Sequence, residues 1–214
     1  MKVAVIGLGR FGYNVAITLA EKGIEVLAID SNESIIASIR DLVTQAVCMR
    51  VTDEMSLRSV GIEEMDIVVV APGENFAQSI LITALLKKKL HIPRVITRTV
   101  NQIHKEIVTL IGADETIIPE QEIGVRLAER LSSPFTQFFR ITTHFSMSQL
   151  ASPASFIGTE VNNLELYKNY KVRCIARKVG EDFIPADPTY VIQEGDMLLI
   201  AGKEEDLKKI ARLA

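Results

Sequence analysis

"KVAVIGLGRFGYNVAITLAEKGIEVLAID", residues 2–30, decides the fold. A β-branched run over 2–7 leads into Gly7, Gly9 and Gly12 at G-x-G-x-x-G spacing. An amphipathic helical pattern follows over 10–22, and a second apolar run over 25–30 closes on Asp30. In such a strand–turn–helix each glycine has its own use. Gly7 permits the tight turn, Gly9 lets backbone approach a phosphate, and Gly12 permits close helix–strand packing. The helix opening near Arg10 aims unpaired N–H groups and a partial positive charge at an anion. Asp30, 18 residues beyond Gly12, is placed to hold ribose hydroxyls and would repel a 2′-phosphate, which disfavours NADP. Two readings of Arg10 stand side by side: a side chain reaching along the phosphates, or a solvated helix residue.

Outward from this stretch the same grammar repeats. Strands are expected at "AVCM" (46–49), "DIVVVA" (66–71), "RVITRT" (94–99) and "ETIIP" (115–119), with helices over 33–41, 53–60, 75–90 and 101–111. Near-continuous apolar strands alternating with helices imply βαβ units in an open, doubly wound parallel sheet, an α/β Rossmann-like fold. Asn32 or Ser31 would cap the second helix, and Gly23, Gly61 and Gly112 stand where helices should stop. "APGEN" (71–75), at the carboxyl end of strand four, would border the crevice. One more helix is expected over 120–134, with Ile123, Leu127 and Leu131 on one face, and "SSP" (132–134) followed by "FTQFFR" (135–140) reads as the linker or crossover. Beyond it the pattern changes to a small α+β domain over 135–214. Its expected parts are a strand near "ITTHFSMSQL" (141–150), a short helix over 162–169 and a strand over 170–179. Two strands around Gly195-Asp196 within 189–202 and a closing helix over 203–213 complete it. The first domain is then 1–134.

The composition narrows the function classes. The 214 residues are 48% apolar and 24% charged, with 24 Lys+Arg against 27 Asp+Glu and a net charge of −3. A mildly acidic chain is not built to neutralise a nucleic-acid backbone. No apolar run approaches the roughly 18 residues of a membrane span, and a strand beginning at Lys2 leaves no room for a signal peptide. Cys48 and Cys174 form no metal-ligand spacing and read as core thiols in a reducing cytoplasm. His144 falls within a strand pattern, and His91 and His104 flank helices without partners in the pattern. The chain has no G-x-S-x-G or H-E-x-x-H signature, and its glycine loop is not a Walker A motif. These features favour binding over turnover. The competing readings are an NAD-dependent oxidoreductase with a reduced substrate domain and a redox-responsive transcriptional regulator. The second is disfavoured by the acidic balance and the missing basic helix.

Taken in order, the opening stretch, "VTDEMSLRSVGIEEMDIVVVAPG" (51–73) and "IGADETIIPEQEIG" (111–124) resemble the N-terminal RCK (KTN) domain. "IPADPTYVIQEGDMLLIAGKEEDL" (184–207) resembles its C-terminal companion. The family comprises regulatory subunits of Trk/Ktr-type potassium uptake and the gating domains of potassium channels. The resemblance implies a cytoplasmic, non-enzymatic subunit, peripheral at the inner face of the membrane. It would form a homo-oligomeric ring, an octamer or tetramer built from dimers, beside a potassium-transporting membrane subunit. ATP, ADP or NAD(H) would be the ligand. By the same resemblance Gly7, Gly9, Arg10, Phe11 and Gly12 hold the phosphates and Asp30 the ribose, with Ser31, Arg50 and Thr52 as further contacts. Ala71, Gly73 and Glu74 line the crevice, and Arg98 and Asn101 follow at the end of strand five. Glu120 matches a position that helps hold a divalent cation at the subunit interface; its alternative is simple helix-start electrostatics after Pro119. Two positions depart from the family pattern. Arg50 stands where an acidic or amide side chain usually faces adenine, and a guanidinium can stack on the base but cannot accept its amino proton. Tyr167 stands where members that bind cyclic di-AMP carry Arg.

Overall fold

The computed structural model describes residues 1–73, 75–132, 137–142 and 144–213. The chain divides into two compact units, 1–122 and 123–214. The expected boundary at 134 lies outside the described residues.

In the first unit, β1 (Lys2–Ile6), β2 (Glu25–Asp30), β3 (Gln45–Cys48), β4 (Ile67–Val70), β5 (Arg94–Arg98) and β6 (Glu115–Ile117) alternate with helices. These are α1 (Arg10–Glu21), α2 (Glu33–Ile39), α3 (Glu54–Arg58), α4 (Phe76–Ala84) and α5 (Gln102–Ile111). All six strands are parallel, in the order β3-β2-β1-β4-β5-β6. That is the Rossmann order, with its switch point between β1 and β4. The period-2 alternation of each strand feeds two cores. Ala4, Ile6, Leu27, Ile29, Val68 and Val70 face one side, with Leu57, Ile62, Ile82 and Leu86. Val3, Val5, Val26, Ala28 and Val69 face the other, with Ala16, Ile36 and Ile39. Burial on both faces is why the central strands read as unbroken apolar runs. Side chains punctuate the helices. Asn32 accepts from the Ser34 and Ile35 N–H groups, Asp53 and Ser56 form a capping box, and Asn75 and Asn101 cap α4 and α5. Each satisfies N–H groups that the first helical turn leaves unpaired.

Helix α6 (Pro119–Ser132) begins in the first unit and runs into the second. There an antiparallel sheet in the order β10-β9-β11-β8-β7 is formed by β7 (Gln137–Arg140), β8 (Ser146–Ala151), β9 (Arg173–Val179), β10 (Asp182–Pro185) and β11 (Met197–Gly202). With α7 (Leu166–Tyr170) and α8 (Glu204–Ala211) it encloses Leu150, Phe156, Ile192, Leu198, Ile200, Leu207 and Ile210.

Several expectations need correction here. "FTQFFR" contributes a strand, β7, paired with β8, rather than a linker. The stretch 189–202 forms one strand, not two. Residues 190–192 bond to the 158–161 loop, through Val161 N–H to Tyr190 O and Ile192 N–H to Thr159 O, instead of folding back on β11. An Asp187–Thr189 turn directs them there. The short strand β10 was not expected, since four residues ending in Pro185 make a weak pattern; proline is tolerated there because β10 is an edge strand. His144 is an exposed loop residue between β7 and β8. Cys48 is exposed at the end of edge strand β3, whereas Cys174 packs partly into the second core and burial pushes its thiol up to about 11.

His104, expected to lack a partner, is buried on α5 at 1% exposure. Its Nδ1 accepts from Val100 N–H (3.4 Å), so the ring proton sits on Nε2 and donates to Ser79 Oγ (2.6 Å). Burial lowers its pKa from the ordinary 6.5. A base with a lowered folded-state pKa binds fewer protons when folded than when unfolded. Its stabilisation is therefore complete above 6.5 and is lost as pH falls from there toward the folded-state value. Urea unfolding between about pH 7 and 5 should show a steeper loss of stability in the wild type than in His104→Gln. Equal slopes would mean that His104 is protonated as easily in the fold as outside it.

Candidate functional site

β1 and β4 stay paired to their carboxyl ends, where Ala71 N–H donates to Ile6 O (2.7 Å), and the glycine turn follows directly on Ile6. Gly7 takes φ +91°, and its N–H donates to Ile29 O (2.8 Å). A Cβ there would stand 2.5 Å from Ala71 O and 2.6 Å from Pro72 Cα, and one on Gly12 would overlap the Gly7 carbonyl oxygen. Both glycines are thus demanded by the approach of one backbone to another. Gly9 is different. Its φ of −62° is open to any residue, and a Cβ would meet nothing within 4 Å. Gly9 is also the N-cap of α1, with no side-chain cap and no acidic residue in the first turn. The positive end of α1 therefore opens onto free space.

Asp30 faces this turn from the end of β2. One carboxylate oxygen accepts from Leu8 N–H (2.6 Å), the other from Asn32 N–H (2.8 Å). The carboxylate therefore braces the glycine turn against the start of α2, and each oxygen retains a lone pair for a further donor. A crevice of about 170 Å³ lies beside it, lined by Gly7, Asp30, Ser31, Met49, Val51, Gly73, Asn75 and Gln78 among others. This is smaller than a typical ligand pocket of roughly 300 Å³ or more.

The expected residues are distributed unevenly about this crevice. Gly7, Asp30, Ser31 and Gly73 line it. Ala71 is buried directly beneath Gly7 and Gly12, and Phe11 packs half-buried into the core below α1. Arg10 is exposed at the start of α1. Arg50 and Thr52 are exposed and lie outside the crevice lining, where their neighbours Met49 and Val51 stand instead. Alternation along 49–52 could have signalled this. Glu74 lies outside the described residues. Asn101 spends its side chain on the His104 N–H.

Arg98 is not among the residues that line the crevice but bonds to one that does. Its Nη1 donates to Gly73 O (3.0 Å) and its Nη2 to Glu120 Oε1 (2.7 Å). Glu120's own backbone N–H, and then Arg98, hold its carboxyl below the ordinary range. Among the described residues no three His, Cys, Asp or Glu side chains come together as a metal site, and no helix is long and apolar enough to cross a membrane. In the second unit a cleft of about 570 Å³ is lined by Asn162, Leu166, Tyr167, Arg173 and neighbours. Lys171 and Arg173 stand over the Tyr167 ring at 5.3 and 4.8 Å.

A six-stranded parallel sheet with a glycine turn and an acidic residue at its switch point defines the Rossmann-like class, here followed by a separate antiparallel unit. Comparison with known proteins narrows this. Residues 3–119 match the TrkA-N domain and residues 147–214 the TrkA-C domain. The chain is 34% identical over 208 residues to the Ktr system potassium uptake protein A of Bacillus subtilis (strain 168), covering 96% of this chain and 93% of that one. It is 30% identical over 211 residues to the Ktr system potassium uptake protein C of the same strain, covering 98% and 95%. The GsuK channel bound to NAD shares the fold with TM-score 0.53 at 20% identity, across 99% of this chain and 38% of that one. The chain belongs to the Trk/Ktr family of potassium-uptake proteins.

The glycine geometry makes a sharp prediction. Gly12→Ala should destabilise the chain by about 1–3 kcal/mol through overpacking, whereas Gly9→Ala should stay within about 0.5 kcal/mol of wild type. Urea midpoints of the two variants check this, and equal losses would refute the distinction.

Proposed function

We propose that this chain is a nucleotide-binding regulatory subunit that gates a potassium-transporting membrane protein. The observation that carries the reading is the open space over Gly9, at an uncapped helix start, beside the Asp30 carboxylate that accepts from Leu8 N–H in the same turn. Backbone N–H groups of α1 would take the phosphates. The spare lone pairs of Asp30 would accept from the ribose hydroxyls, and Met49 and Val51 would give the base an apolar wall. ATP, ADP and NAD(H) meet these requirements; a 2′-phosphate would be repelled by Asp30. The names of the relatives, which speak of potassium uptake, and of a solved neighbour bound to NAD support this reading.

Gating follows if copies of the chain assemble as a ring at the cytoplasmic face of the membrane, and if ligands prefer different arrangements of that ring. A ligand shifts such an equilibrium only by its differential affinity for the two states. Glu120 would reach a divalent cation between copies through the carboxylate oxygen that Arg98 leaves free. No side chain in this reading is asked to move a proton or hydride.

Melting in the presence of ATP, ADP, NAD or NADH tests the idea. A ligand at a hundredfold excess over its Kd adds about 2.7 kcal/mol, an easily seen rise in Tm. Gly9→Asp should abolish the rise by placing bulk and negative charge in the open space. Absence of any rise with all four nucleotides, at millimolar concentrations, would sink the proposal.

A further inference from the structure

Arg98 touches two places that matter in different ways. Gly73, whose carbonyl oxygen receives Nη1, lines the crevice. Glu120, which receives Nη2, sits in the first turn of α6, the helix that leads into the second unit. One guanidinium therefore spans from the crevice wall to the root of the connecting helix.

The pair is poorly explained as a stabilising device. The Glu120 side chain is 66% exposed, against 15% for Arg98, and ion pairs with an exposed partner contribute little to stability. The Arg98 Nε is buried and has no partner among the described residues. A buried unpaired donor costs free energy, so the guanidinium has something to gain from moving when an acceptor arrives nearby. The group is also rigid and planar, so displacement of one terminal nitrogen displaces the other. Gly73 and Asn75 lie outside regular secondary structure.

We infer that Arg98 is the residue through which occupancy of the crevice is passed to α6, acting as a positioning residue rather than as a nucleotide ligand. The inference rests on the nucleotide reading above. Binding beside Gly73 moves its carbonyl, the guanidinium follows, and Glu120 is released or re-aimed at the start of α6.

Hydrogen–deuterium exchange over residues 119–132 of the full chain tests this, with ATP, ADP or NAD at concentrations that saturate each variant in a chelating buffer. The wild type should show a ligand-dependent change in exchange in the first turn of α6. In Arg98→Gln the change should fall at least about fivefold although the crevice is saturated. Glu120→Ala, which removes the acceptor at an exposed position, should lose the response equally, and the double variant should be no worse than either single one. A response persisting in Arg98→Gln or Glu120→Ala overturns the inference. So does failure of Arg98→Gln to bind any of the three nucleotides, which would make Arg98 a ligand. If the wild type itself binds none of them, the nucleotide reading falls and takes this inference with it. If it binds but α6 does not respond, only the inference falls.

Discussion

Three backbones meet at the switch point: the turn after β1, the first turn of α1, and the strand end at Ala71. They meet closely enough that neither Gly7 nor Gly12 has room for a Cβ. This contact sets where α1 starts and in which direction its free N–H groups point. The Asp30 carboxylate then ties the turn to β2 and α2 through two short hydrogen bonds. Gly9 is left as the one glycine of the three that the protein's own packing does not require. The space it leaves is open to a phosphate approaching the α1 N–H groups.

The first unit was legible because its physics is local. Parallel strands buried on both faces carry long apolar runs, and α2, α3, α4 and α5 are each opened by a side chain that caps them. The second unit was less so. Its sheet is antiparallel, and β8 and β9 bury only alternate or scattered positions instead of carrying unbroken buried runs. Partner choice there is decided by turns and long-range bonds that no short window contains. Residues 190–192 show this: their pattern is that of a hairpin strand, yet the Asp187 turn commits them to the 158–161 loop.

The same division holds within the candidate site. Gly7, Gly12 and Asp30 follow from spacing along one strand–turn–helix–strand stretch. Met49 and Val51 depend on the pleat beyond β3, where a slip of one residue turns Arg50 and Thr52 outward. His104 and Ser79 meet across two helices 25 residues apart, and Arg98 reaches Glu120 across 22. Contacts of that kind carry no periodic signal, because each depends on where the sheet places the ends of its strands.

A crevice of about 170 Å³ is small for a nucleotide, and two physical routes lead to a larger one. Either the ligand lies mostly outside the enclosed volume, over Gly9 and along the exposed start of α1, or the loop at Gly73 withdraws. The first route asks nothing of the rest of the chain. The second must disturb Arg98, since its Nη1 is bound to the Gly73 carbonyl. A regulatory subunit has use for the second route, because a ligand that enters without moving anything has no means of favouring one state over another. On this argument the tightness of the crevice and the weak, solvent-facing pairing of Glu120 belong together: the first makes binding require movement, and the second lets that movement proceed at small cost.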